Sequence, residues 1–328
     1  MSQFFLKLIL IFTMSLIVSC KSAKNSDPAP ATDNSAAAAN TTANTNSNCT
    51  LIQPFYWEIG NATGSIVSGT AGGTTPISST VLQIASASKW IWASYALEKR
   101  SGVLTAQDIK ALNFTAGYST FTSCVGYATV GGCYAAVTSY NAADDGKFYY
   151  SGGNMQWQAN SLLSLGSYTT TQLATEVSTY LGSDLALVYN IPQPAGGLTI
   201  SAASYSLFLR KILNNLLQMK SNLGTNSVCT NPTTCVSANY TPIPTTESWH
   251  YSLGHWVEDD PTQGDGSFSS PGLYGFYPWI NSGKNLYGVV ARYDAANVGN
   301  TPATNTSYWR SVACGRLIRK AYQTQIAQ

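Results

Sequence analysis

Residues 83 to 99 read QIASASKWIWASYALEK, a helix-like run that is almost entirely apolar except for a lysine near its start, Lys89. A helix that is hydrophobic all round is a buried one, so the chain must provide a sizeable core around it. Its 328 residues are enough for one large domain or two modest ones. The same run poses a chemical question. A buried ammonium is costly unless something pairs with it or uses it.

Ser86 stands three residues before Lys89, which on a helix places both on one face, hydroxyl beside amine. A serine hydroxyl becomes a nucleophile when a base takes its proton. A lysine in an apolar pocket loses part of its preference for the charged form and can be that base. At a helix N-terminus the Ser86 backbone N–H is free to hold a developing oxyanion. With 38 serines and 11 lysines, one S-x-x-K is what chance alone provides, so the spacing by itself is weak. The bland alternative is a lysine snorkelling to the surface beside a helix cap.

Two further stretches bear on that chemistry. KFYYSGGNMQW, residues 147 to 157, offers a tyrosine before a tight Ser-Gly-Gly turn. Beside an ammonium its phenol would be pushed towards phenolate and could carry a proton to a leaving group, although a buried tyrosine is more often packing. SFSSPGLYGFYPWI, residues 267 to 280, has small residues that would let a substrate lie against backbone donors. Its alternative is an ordinary strand start.

The formal charge of +2, without a basic cluster, points away from nucleic acid. The N-terminal MSQFFLKLILIFTMSLIVSC places Lys7 before an apolar stretch that ends at Ser19 and Cys20. It reads as a signal peptide, residues 1–19, too short for an ordinary membrane span. Its end, IVSC, resembles a bacterial lipobox, which implies lipidation at Cys20 and an exported protein anchored to a bacterial membrane, in the periplasm or at the cell surface. Residues 20–48 read as that cysteine and a disordered tether, and 49–328 as the folded domain. Six cysteines remain, an even set suited to disulfides. Cys124 with Cys133 and Cys229 with Cys235 look like local loop staples, leaving Cys49 for Cys314. Metal binding is the weaker alternative, since neither His250 nor His255 has a cysteine at ligand spacing.

Along the domain, a β-hairpin is expected over 55–72, a helix over 86–99 stopped by Gly102, and mostly helix and loop over 103–180. An amphipathic helix is expected over 202–223 and strands around 273–281 and 285–293, joined by an SGKN turn. A last helix begins at Tyr308. The order gives an α+β arrangement whose sheet joins the two ends of the chain.

Taken in order, ASASK, SGVLTAQD, LNFTAG, YYSGGN, YSLGHWVE and SSPGLYGFYPWI resemble the serine β-lactamase and penicillin-binding-protein-like superfamily, in its class C-like branch of β-lactamase-related serine hydrolases. The likeness runs from about residue 55 to 325. It implies a five-stranded antiparallel sheet flanked by helices, a mostly helical second region, and an active site between them. It further implies Ser86 as acylated nucleophile, Lys89 as its helper, Tyr150 as general base and acid, and the backbone N–H groups of Ser86 and Leu273 as oxyanion hole. No metal or cofactor is implied. The spacing before Ser-Gly selects Tyr150 rather than the adjacent Tyr149, which points the other way.

Two departures shape the functional expectation. The Tyr-x-Asn of β-lactamases has Gly152 in its third place, with Asn154 as a stand-in for the missing amide. The Lys-Thr-Gly strand motif has become Ser270-Pro271-Gly272, so the cation for a substrate carboxylate is missing unless His250, His255 or Arg292 replaces it. Gly152, Asn154, Ser270 and Gly272 are the expected substrate contacts. The expectation is therefore a monomeric, extracytoplasmic esterase or amidase working through an acyl-enzyme on a small-molecule or cell-wall acyl substrate. A true β-lactamase or D-Ala-D-Ala peptidase is the first alternative. A catalytically silent lipoprotein that binds cell-wall or glycan fragments is the second.

Overall fold

In the computed structural model, which describes residues 33–328, the hairpin expected at residues 55–72 forms one edge of the main sheet. Its strands are β1 (Phe55–Asn61) and β2 (Gly64–Ala71). The remaining strands of this sheet are β3 (Val228–Cys229), β4 (His250–Ser252), β5 (His255–Glu258), β6 (Ser267–Ser269), β7 (Tyr277–Ile280) and β8 (Leu286–Ala291). The order is β2-β1-β8-β7-β6-β5-β4-β3, every neighbour antiparallel. The first strand of the chain thus pairs with the last, Trp57 opposite Val290. Five strands were expected in this sheet and eight are present in it among the described residues. The difference is the β4–β5 hairpin, which adds to β6 with Trp256 opposite Ser269, and the two-residue β3 beyond it.

Helices cover both faces of the sheet. Gly315, in the final helix (Ser307–Thr324), lies against Tyr277 and Val290. Tyr287, three residues before Val290 and so on the opposite face, accepts a hydrogen bond at its hydroxyl from Arg210 of the helix Ala202–Leu213. That helix was expected to run on to residue 223. It stops because the Asn214 amide donates to the Arg210 and Ala62 carbonyls and Asn215 turns left-handed, φ 56°. Leu216 is exposed, and a short helix resumes at Met219–Asn222.

The central helix, Ser88–Lys99, is buried from Ser88 to Leu97. Trp90 stacks on His255 of β5, ring centroids 5.4 Å apart. On the other flank the Trp92 indole donates to Gln158, 2.8 Å, and the Tyr95 hydroxyl to Glu176, 2.8 Å. Sheet on one side and helical region on the other explain why the sequence is apolar all round.

The segment expected to be a disordered tether is partly folded. Signal peptide, Cys20 and tether up to residue 32 lie outside the described residues, but Ser35–Thr45 forms a helix. Ala38, Ala39, Thr42 and Ala43 are buried, and the chain's far end is bound here. The Gln328 N–H donates to Thr42 Oγ1, 2.9 Å, and the Asn46 amide to the Gln328 carbonyl, 3.0 Å. Alanines carry too little apolar surface to signal a core helix by composition, yet they let a second helix approach closely. Disulfides join Cys49–Cys314, Cys124–Cys133 and Cys229–Cys235, so none of these cysteines is a free thiolate for a metal.

Candidate active site

Ser86 sits in a tight turn, Ala85–Ala87, immediately before the central helix. Ala85 adopts a left-handed backbone, φ 43°, a conformation that a non-glycine residue holds only when its surroundings enforce it. One enforcing contact comes from the Ser270 hydroxyl, which donates to the Ser86 carbonyl at 3.1 Å. Another is the chain at Gly272: a Cβ there would stand 2.1 Å from the Ile84 carbonyl oxygen. Glycine is what lets the start of β7's approach segment lie against the turn that presents Ser86.

Lys89 is 4% exposed. Its Nζ donates to Ser86 Oγ at 2.9 Å and to the Ala195 carbonyl at 2.7 Å. No carboxylate pairs with it among the described residues. The amine lies over the Tyr150 ring, 4.9 Å from its centroid, and 6.0 Å from that of Phe114. Burial without a counter-charge lowers its pKa to about 7, so near neutrality a large fraction is free amine.

Tyr150 and Ser86 border the same niche, close enough for the serine to pull the phenol's pKa down. Burial raises its pKa well above the ordinary phenol value, outweighing the downward pull of Ser86 and Trp256. The expected push towards phenolate is not what the surroundings produce: burial holds the proton on the Tyr150 phenol, and it is Lys89 whose pKa burial lowers. Tyr149 turns away, its ring 5.2 Å from Tyr240.

The remaining expected residues divide. Among the described residues no acceptor pairs with the backbone N–H of Ser86 or of Leu273, and both residues border the same two cavities. Asn154 is corrected from substrate contact to scaffold: it is 1% exposed, accepts from the Ala116 N–H at 3.1 Å and donates to the Tyr118 and Ser151 carbonyls. Gly152 packs on Phe121 and Ala195. The Ser270 hydroxyl is committed to the Ser86 carbonyl, and Gly272 makes room for the turn that carries Ser86.

None of the three candidate cations reaches the site. His250 is paired with Asp259 at 2.8 Å. His255 is fully buried under Trp90, accepts from the Gly224 N–H at 3.1 Å, and burial pushes its pKa down to about 3. Arg292 is bound to Asp294, Ser311 and the Ser307 carbonyl.

Two spaces open on Ser86. One is a cleft of about 460 Å³ with Lys89, Gln83, Thr122, Asn190, Gln193 and Leu273 in its walls. The other is a niche of about 60 Å³ between Tyr150, Pro242, Ile243, Trp256, Pro271 and Tyr308. Apart from Lys89, neither is lined by a charged residue. Sequence reading missed the niche, whose walls come from five separate segments. It also missed the Ala195 carbonyl, although the following Gly196-Gly197 is a signal for a tight turn.

No family model matches the sequence, and no curated protein does. Solved structures do. A protein assigned as a β-lactamase from Bacteroides dorei DSM 17855 superposes with a TM-score of 0.61 at 17% identity, over 82% of this chain and 93% of that one. Simvastatin synthase (LovD) from Aspergillus terreus gives 0.58 at 12% identity, over 87% and 99%. The octameric penicillin-binding protein homologue from Pyrococcus abyssi gives 0.56 at 12% identity, over 81% and 74%. At such identities the likeness is one of architecture, and the chain has the β-lactamase and penicillin-binding-protein fold.

Proposed function

We propose that the protein is a serine hydrolase that cleaves a neutral ester or amide through an acyl-enzyme on Ser86. The observation that carries this reading is the buried Lys89 amine, 2.9 Å from Ser86 Oγ, with no acid beside it. A purely structural lysine gains nothing from this placement, whereas a base needs it. In the reading, Ser86 Oγ attacks the carbonyl carbon as its proton passes to the neutral amine of Lys89. The N–H groups of Ser86 and Leu273 receive the oxyanion. The bond to the leaving group then breaks, and the Tyr150 hydroxyl gives its proton to the departing atom. The Lys89 ammonium restores that proton to Tyr150. In the second half a water attacks the acyl carbon and its proton goes to the Lys89 amine, and Lys89 returns that proton to Ser86 Oγ as its bond to the acyl carbon breaks.

The missing cation favours a neutral substrate over a β-lactam or a D-Ala-D-Ala peptide, each of which carries a carboxylate. Fold does not choose among these, since the same architecture bears the name of a β-lactamase and of a simvastatin synthase. Three disulfides suit an oxidising compartment, and no helix among the described residues is long and apolar enough to cross a membrane. The disulfides support export, and the IVSC end of the leader supports a lipid anchor at Cys20.

Intact-mass spectrometry of the oxidised protein tests the reading, using a fluorophosphonate, an activated short-chain ester and a penicillin, each beside Ser86→Ala. One adduct that is absent from the variant is expected with the first two reagents. A stable penicillin adduct or rapid penicillin turnover would move the substrate towards lactams. No adduct with any reagent, on a folded protein, would leave a binding protein.

A further inference from the structure

The two spaces beside Ser86 are chemically unlike, and the two proton-handling groups are divided between them. Tyr150 borders the niche and not the cleft; Lys89 borders the cleft and not the niche. A group that protonates a leaving atom must touch it. On the reading above, the departing side of the substrate therefore lies in the niche and the acyl side in the cleft.

The niche is small and apolar. Its roughly 60 Å³ accommodates roughly four water-sized groups. Ile243 and Trp256 are nearly fully buried, and Tyr308 is 8% exposed. The Tyr308 hydroxyl donates to the Pro242 carbonyl, so the start of the final helix is fastened to the opposite wall. The Trp256 ring stacks on that of Tyr150, centroids 5.3 Å apart. A carboxylate placed here would meet no cation to pair with, and burying it without a counter-charge is prohibitive. The cleft, by contrast, offers Gln83, Thr122, Ser123, Asn190 and Gln193 to a polar acyl part.

We infer that the substrate is a short-chain alkyl ester whose leaving alcohol is small, apolar and uncharged, and whose polar recognition lies in the acyl part. Ile243 and Tyr308 set the size limit of the alcohol. This inference rests on the serine hydrolase reading and narrows its substrate class. Hydrolysis consumes one water and releases the free acid and the alcohol, with no other co-reactant.

The test uses three esters of N-acetylglycine, those of methanol, benzyl alcohol and glycolate, the last carrying a carboxylate on its leaving side. Values of kcat/KM come from quantifying the released acid. The wild-type protein is expected to prefer the methyl ester at least tenfold over both others. Ile243→Ala is expected to raise the benzyl-to-methyl ratio at least tenfold while leaving the glycolate ester poor. Should that variant fail to fold, Ile243→Val carries the same comparison with a smaller rise. A glycolate ester hydrolysed as well as the methyl ester overturns the inference, as does a benzyl-to-methyl ratio indifferent to residue 243. Fluorophosphonate labelling of the same preparations separates the two levels of failure. Labelled protein that leaves the methyl ester intact sinks the inference alone, and unlabelled protein sinks the hydrolase reading with it.

Discussion

A lysine amine with a pKa of about 7 has a consequence that can be read in a pH profile. The base form exists above that value and disappears below it. Ser86 acylation should therefore fall about tenfold per pH unit below pH 7 and level off above it, as for a single ionisation. Stopped-flow acylation with an activated ester measures this, and a profile flat from pH 5 to 8 would remove Lys89 from the base role. Lys89→Arg keeps the size but stays charged, and is expected to lose about 10²–10⁴-fold in acylation rate. At this scale the sequence was informative where residues are close in the chain. The Ser86–Lys89 spacing and the Ser-Gly-Gly turn after Tyr150 are local facts, and the structure brings all three side chains together. What was illegible is long-range: that the hydroxyl of Ser270 is used up on Ser86, and that Asn154 is buried in its own scaffold. Nothing in either tripeptide distinguishes a group held out to substrate from one already satisfied.

Among the elements, the β4–β5 hairpin packs directly against the helix that follows Ser86. Its turn residue Gly254 has φ 81°, and a Cβ there would stand 2.5 Å from the Ala93 side chain and 2.7 Å from the Lys89 carbonyl. The Gly254 N–H donates to the Leu112 carbonyl at 3.0 Å and the Leu253 N–H to Asn113 Oδ1 at 2.6 Å. The hairpin tip thus ties the sheet to the helical region directly beneath Lys89. Gly254→Ala combines positive-φ strain with a clash, and a loss of about 1–3 kcal/mol is expected, with slower Ser86 acylation. Urea denaturation and acylation kinetics check both, and an unchanged midpoint would show that the tip can move aside. HYSLGHWVE could have been read as a hairpin from its Leu-Gly turn, but its alternation is obscured because residues on both sides of β4 and β5 are buried. The helix at Ser35–Thr45 was missed for a different reason. Its burial is conferred by a partner nearly three hundred residues away, and propensity alone does not carry short polar helices.

On the scale of the whole molecule, the strand order makes the sheet depend on the meeting of the chain's two ends. The Cys49–Cys314 disulfide closes that meeting across 265 residues. Replacing both cysteines with serine should destabilise the protein by about 2–5 kcal/mol, as for loss of a native disulfide. The expected readout is a lower Tm, with fluorophosphonate labelling of Ser86 intact below it. A Tm unaffected by the replacement would mean that the packing of the terminal helices already holds the ends. The α+β class and the joining of first and last strands were legible from the order of elements, because hairpin, helices and strands each have a local period. The eight-strand count was not, because a two-residue strand such as Val228–Cys229 exists only through its neighbour.

That closure also governs how the protein would bear mechanical load. A pull on the chain ahead of Asn34, opposed at the C-terminal end, can peel the first helix from the last only as far as Cys49. There the covalent path crosses to Cys314 and runs out along the final helix. The sheet, the central helix and Ser86 all belong to the slack loop between those two cysteines and carry no tension. While the bond is oxidised, the chain could be pulled by its ends without covalent tension reaching Ser86.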